Sequence, residues 1–147
     1  MWASFRRQEG GILATLKTLN YLEQVLARKE ADAAGADEAL LCSNAGLLCE
    51  GSASNVAVVR GGAVLAPDPR AVGALPGLAQ EALFEVARAE GFAARYAGLS
   101  PSDLTTADEA FLSGSMREIT PLVAVGEQKS APAAPVGVIV FPLRRNS

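Results

Sequence analysis

The stretch that most constrains the fold is residues 38–67, where four short apolar runs are cut apart by tight turns. "EALLC", "LLCE" and "NVAVVR" read as strands separated by "SNAG" and "GSAS", and "AVLAP" follows a Gly61–Gly62 turn. A chain that reverses this often builds a sheet meander, and an apolar sheet face must be covered by something else. A helix precedes the meander. "NYLEQVLARKEADAA", residues 20–34, spaces Tyr21, Leu22, Val25 and Leu26 as an apolar stripe and leaves Glu23, Lys29 and Glu30 to water. Asn20 suits its N-cap and Gly35 its stop.

After the meander, "DPRAVGALPG" is a loop with two prolines that leads into a second helix, "LAQEALFEVARAEG", with Leu78, Ala82, Leu83 and Val86 as its stripe. "FAARYA" reads as a strand. "SPSDLTTADEAF" carries helix-start signals, with Ser100 as cap, Pro101 at the first position and Asp103 in the first turn. "EAFLSG" and "ITPLVAV" are two more strands. From residue 126 the character changes: "EQKSAPAAP" has linker composition, and "VGVIVF" reads as one more strand or an apolar tail. The pattern predicts an α/β domain over residues 1–125, a mixed sheet with packed helices, and a divergent Ala/Pro-rich tail over 126–147.

The bulk numbers remove several functions. With 147 residues the chain suits one core. A net charge of −3 with scattered basic residues disfavours nucleic acid, which needs a concentrated basic face. No run of eighteen apolar residues and no signal-peptide core are found, so a soluble, cytoplasmic protein without a membrane partner is expected. Histidine is absent, which removes His-based triads and the usual zinc sites, and no metal centre is expected. Cys42 and Cys49 flank "SNAG"; pairing around that turn would set Cys42 opposite Leu47 and Cys49 opposite Leu40, out of register for a disulfide. They read as small buried hydrophobes.

Pattern alone marks four places for chemistry: Lys17 before the first helix, Glu50 at a strand end, "LPGLA" entering the second helix, and "SGS" at residues 113–115. A helix start reached through glycine and a small-residue turn both offer backbone N–H groups to an anion. Taken in order, "LKTLNYLEQVLARKEA", "GADEALL", "EGSASNVAVVRGGAVLAP", "LPGL" and "ADEAFLSGSMREITPL" resemble the larger, C-terminal domain of the fold-type IV pyridoxal-phosphate enzymes. That family holds branched-chain aminotransferases, D-amino acid aminotransferases and aminodeoxychorismate lyases. The resemblance implies a partly barrel-like mixed sheet and pyridoxal 5′-phosphate as cofactor. It also implies transfer of an amino group between an amino acid and a 2-oxo acid. By the same resemblance Lys17 is the lysine that bonds the cofactor and moves the substrate proton, and Glu50 keeps the pyridine nitrogen protonated. Tyr21 reaches the phenolic oxygen, Leu75 packs on the ring, and Leu78, Ala79 and Ser115 hold the phosphate. Asp108 and Glu109 read as structural, and Cys49 as inert for want of a basic neighbour.

Three departures from the family bear on function. Family members carry a smaller N-terminal domain that supplies a phosphate arginine and much of the substrate pocket, and none of it is recognised here. Arg6 and Arg7 lie on the strand leading to Lys17 and do not replace that arginine. Gly-Ile-Thr-Arg of the family is Gly77-Leu78-Ala79-Gln80, which deletes a hydroxyl. The tail lacks the family's final helix, and both genuine divergence and a shifted reading frame fit its composition. An open cleft and an exposed apolar surface are therefore expected. Three readings stand: a class IV aminotransferase, related through "LKTLNYLEQVLAR" also to the lyase branch; a truncated, inactive chain or a subunit that pairs with a separate N-terminal half; and a cofactor-binding module without turnover. A homodimer is the family's usual assembly.

Overall fold

The computed structural model describes residues 1–116, 118–126 and 128–129. Strands β1 (Trp2–Arg7), β2 (Leu40–Ser43) and β3 (Leu48–Gly51) form one sheet, with β1 parallel and β3 antiparallel to β2. Strands β4 (Asn55–Arg60), β5 (Ala63–Pro67), β6 (Ala93–Ala97), β7 (Glu109–Gly114) and β8 (Glu118–Pro121) form a second, in the order β6-β5-β4-β7-β8. A two-stranded pair, β9 (Ala124–Val125) and β10 (Gln128–Lys129), completes the described strands. Helices α1 (Leu22–Ala33), α2 (Pro69–Val72), α3 (Leu78–Ala89) and α4 (Asp103–Thr106) lie between them.

Alternation along β4 sorts the core into layers. Ala57 and Val59 face α3, where Leu83, Phe84 and Ala87 join them with Val64, Ala66 and Phe111. Val56 and Val58 face the other way, onto Leu40 and Leu48 of the small sheet and Leu104 of α4. The small sheet's outer face carries Leu41 and Cys49, covered by Ala27 and Ala31 of α1. The order is helix, five-stranded sheet, three-stranded sheet, helix. Phe84 is fully buried, its ring centroid 5.1 Å from that of Tyr96 and under the Arg88 guanidinium. Phe84→Ala should cost about 3–5 kcal/mol, read as an earlier midpoint in urea unfolding.

Several expectations are corrected. The meander splits into two sheets, because residues 51–54 turn on the Gly51 N–H to Ser54 carbonyl bond rather than continue the ladder. Among the described residues no barrel closes. The stripe of α1 points outward: Gln24, Ala27 and Ala31 are buried, whereas Leu22, Val25 and Leu26 are exposed. Small side chains let the helix sit close on the sheet, and the larger ones are left outside. Likewise α3 buries Gln80, Leu83, Phe84 and Ala87 and exposes Leu78 and Ala82. The N-cap of α1 is Tyr21, not Asn20, while Gly35 does end the helix in a left-handed turn. Helix α4 begins two residues late, with Ser102 as N-cap. The Ser100 N–H and hydroxyl instead donate to Asp103 at 2.6 and 2.9 Å. The proline loop hides α2, capped by Asp68 and stopped by Gly73 at φ 74°. "ITPLVAV" is two strands, broken after Pro121. Cys42 pairs opposite Leu48, and Leu40 opposite Gly51, because the ladder slips between Leu41 and Cys42. Both cysteines are free. "VGVIVF" lies outside the described residues.

Candidate active site

A cleft of about 300 Å³ opens where the turn after β3, the loop before α3 and the turn after β7 converge. Lys17, Tyr21, Glu50, Leu75, Leu78, Ala79 and Ser115 all line it, together with Asn55, Gly77 and Ser113. Residues more than ninety positions apart in sequence thus share one concavity.

At one end stands Glu50, buried on β3. Its Oε2 accepts from the Leu75 N–H at 3.0 Å, which ties the carboxylate to the loop. Its Oε1 is buried and has no hydrogen-bond partner, although the Arg7 guanidinium lies 3.4 Å away. Burial pushes the Glu50 carboxyl up to about 7, against the Leu75 N–H and Arg7, which both favour the charged form. Tyr21, half-buried, has its phenol raised by burial first and by the Glu50 charge second. Cys49 does have a basic neighbour, Arg7, contrary to the sequence expectation, but burial outweighs it and raises the thiol, whose Sγ donates to the Val72 carbonyl at 3.3 Å; it is not an activated thiol.

At the other end is the start of α3. Gly77 is its N-cap without a side-chain cap, and the first intrahelical bonds run from the Gln80 and Glu81 N–H groups back to Gly77. The Leu78 and Ala79 N–H groups precede those bonds and are open to a ligand. Asn55 holds this loop, its Nδ2 donating to the Leu75 carbonyl at 3.0 Å. Ser113 is buried against Gln80, whereas Ser115 is exposed at the rim. Gln80 is buried.

Lys17 lies in an irregular segment, five residues before α1 rather than at its mouth. It is exposed and makes no hydrogen bond or ion pair among the described residues. Of the chain's three lysines, Lys17 lines the cleft. Around it the surface is apolar: Ile12, Leu13, Leu16, Leu19 and Leu22 are exposed, as are Leu78 and Met116 on the rim.

The sequence reading passed over two carboxylate-linked supports. Arg7 is buried beside Glu50 and also bonds Glu23 at 2.6 Å. Glu38 is buried under residues 51–54, accepting from the Ser52 N–H at 3.1 Å, from the Ser52 hydroxyl, and from the Ser54 hydroxyl at 3.1 Å. Strand alternation held the signal for Arg7, since adjacent arginines on β1 must face opposite ways. No group of acidic or thiol side chains able to hold a metal occurs among the described residues.

This architecture and cleft define a class of protein. The profile of the family amino-transferase class IV matches residues 3–125, and the chain belongs to that family. It is 31% identical over 129 residues to the branched-chain-amino-acid aminotransferase of Pseudomonas aeruginosa, covering 86% of this chain and 41% of that enzyme. The structure of the Escherichia coli branched-chain amino acid aminotransferase superposes with a TM-score of 0.90 at 29% identity, over 97% of this chain and 47% of that one. A T.th. branched-chain amino acid aminotransferase, complexed with N-(5′-phosphopyridoxyl)-L-glutamate, gives 0.89 at 29% identity, over 98% and 49%. The chain therefore spans less than half the length of these relatives. Among the described residues no helix is long and apolar enough to cross a membrane.

Proposed function

We propose that residues 1–125 are the larger, cofactor-holding part of a pyridoxal-phosphate aminotransferase. In this reading it moves an amino group between an amino acid and a 2-oxo acid in the cytoplasm. The observation that carries it is the cleft itself. A lone buried carboxylate oxygen at one end and two open helix N–H groups at the other suit a cationic ring nitrogen and a phosphate. When bound, pyridoxal phosphate supplies a carbonyl carbon that bonds amines and a protonated ring that withdraws electrons from the substrate carbon.

Each residue then has a task. Glu50 Oε1 would accept the ring N–H and keep that proton in place. The Tyr21 hydroxyl would donate to the phenolic oxygen, and Leu75 would pack on the ring. The Leu78 and Ala79 N–H groups and the Ser115 hydroxyl would hold the phosphate. Ala79 brings no hydroxyl, so a charged hydrogen bond worth about 1.5–3 kcal/mol is missing at that position. Lys17 Nζ is the amine that would hold the cofactor at its carbonyl carbon and, as a free amine, would carry the substrate proton.

A second reading concerns completeness, and the apolar rim favours it. Leu13, Leu16, Leu19, Leu78 and Met116 are exposed around a cleft open to water. Water competes for the phosphate and weakens electrostatic control in such a site. We therefore propose that an N-terminal-type half, covalent or separate, covers this rim, with a homodimer as the assembled form.

The test is a titration of the purified chain with pyridoxal phosphate, followed by visible absorbance beside Lys17→Ala. A new band that the variant lacks is expected. If no lysine-dependent band forms, even after co-expression with the N-terminal half of a relative, the enzyme reading is wrong. A band only on co-expression assigns the chain as one half of a site.

A further inference from the structure

One guanidinium links the segments that carry Glu50, Lys17 and Leu75. Arg7, at the end of β1, is buried. Its Nε and Nη2 donate to the Gly73 carbonyl at 3.1 and 3.0 Å, fixing the loop that presents Leu75. Nη2 also donates to the Ala14 carbonyl at 3.3 Å, fixing the segment that carries Lys17. Nη1 donates to Glu23 at 2.6 Å, on the first turn of α1 beside Tyr21. Glu50 Oε1 lies 3.4 Å from Nη2 without receiving a directed bond.

That last detail gives the arrangement its meaning. A guanidinium forking straight onto Glu50 would charge the carboxylate but consume the lone pairs a ligand needs. Here the donors are spent on two carbonyls and on Glu23, while the positive charge stays close. Burying a carboxylate favours its neutral form, and a neutral acid would not hold a ring nitrogen protonated. A fixed cation nearby offsets this without occupying Oε1.

We infer that Arg7 is the positioning residue of this cleft: it keeps Glu50 available as a carboxylate with Oε1 unspent, and ties the Lys17 and Leu75 segments around it. The ligand's identity rests on the function proposed above; the coupling of Arg7 to Glu50 does not. The charged and titratable groups facing Glu50 are Arg7 from β1, Glu23 from α1, Tyr21 at the α1 cap, and Cys49 beside it. Arg7 and Glu23 act on Glu50 with opposite sign.

The test reads Glu50 directly in the full chain without cofactor, by carbon NMR of side-chain-labelled glutamate, with Glu50→Gln assigning the signal. The wild-type midpoint is expected near 7. Arg7→Gln should raise it by about one pH unit or more, and Glu23→Gln should lower it. Opposite shifts of this kind would not come from a merely structural arginine. An unmoved midpoint in folded Arg7→Gln, or an upward or absent shift in Glu23→Gln, overturns the inference. Where Arg7→Gln does not fold, Glu23→Gln decides, since Glu23 is half-exposed and, among the described residues, Arg7 is its one ion-pair partner. Correct shifts in a chain that forms no Lys17-dependent band, even on co-expression with the N-terminal half of a relative, would refute the proposed function and leave this inference standing.

Discussion

Gly77→Ala should weaken pyridoxal-phosphate binding by about 100-fold while leaving a folded chain. The glycine is not there for its backbone, since its φ of −88° is open to any residue. It is there because a Cβ would fall onto Asn55 Oδ1 and lie 2.9 Å from Asn55 Cγ. Asn55 cannot simply retreat, because its Nδ2 holds the Leu75 carbonyl and its backbone is paired with Ser113 in β4 and β7. Either the loop lifts or the Asn55 bond breaks, and both displace the Leu78 and Ala79 N–H groups from the cleft. Overpacking of this kind costs about 1–3 kcal/mol in stability, so the thermal midpoint should fall by several degrees. Calorimetric titration with pyridoxal phosphate reads the affinity. Asn55→Ala removes the same Leu75 bond and should weaken binding too, so the double variant Asn55→Ala, Gly77→Ala should bind no worse than the weaker single variant; a fully additive loss would place the cause elsewhere.

The contact of Gly77 with Asn55 is one the sequence does not display, and the same division holds across the molecule. The strands from residue 40 to residue 67 were legible because their apolar runs are short and their turns are built of Gly, Ser and Asn. The face of α1 was not. Periodicity picks the most apolar stripe, yet Ala27 and Ala31 were buried and Leu22, Val25 and Leu26 left out. A helix can satisfy a sheet with small residues when its larger ones are reserved for another surface, and a single chain carries no sign of that second demand. Exposed Leu13, Leu16 and Leu19 in the Lys17 segment repeat the pattern. Within the cleft, Lys17, Tyr21, Glu50, Leu75, Leu78, Ala79 and Ser115 were reached through motif resemblance, and the fold brings all seven together. Arg7 and Asn55 were missed because their work is done through loop carbonyls, whose positions only the fold supplies.

Glu50→Gln should remove a pH dependence from stability and weaken cofactor binding at once. The Glu50 carboxyl titrates near 7 in the folded chain against an ordinary value of 4.5. Because the folded value is the higher one, this group stabilises the fold fully below 4.5, and that contribution is lost as pH rises through about 7. The span corresponds to roughly 3 kcal/mol, an upper figure, since the neighbourhood adjusts as the charge forms. A glutamine does not ionise, so the variant should lack this slope and melt a few degrees above wild type at pH 8, with the gap closing toward pH 5. The gain is partial: an amide that keeps the Leu75 bond through its oxygen turns its NH₂ toward Arg7, donor against donor. Cofactor binding should move the other way. A neutral amide gives up the charged hydrogen bond to a ring nitrogen, worth about 1.5–3 kcal/mol, so affinity at pH 8 should fall roughly 10- to 100-fold. Paired melting and titration curves at pH 5 and 8 measure both. A variant that keeps the wild-type pH slope would mean that Glu50 does not titrate as its burial requires. Stability gained with affinity lost would instead identify the ionised carboxylate as a local strain that the ligand's positive charge relieves.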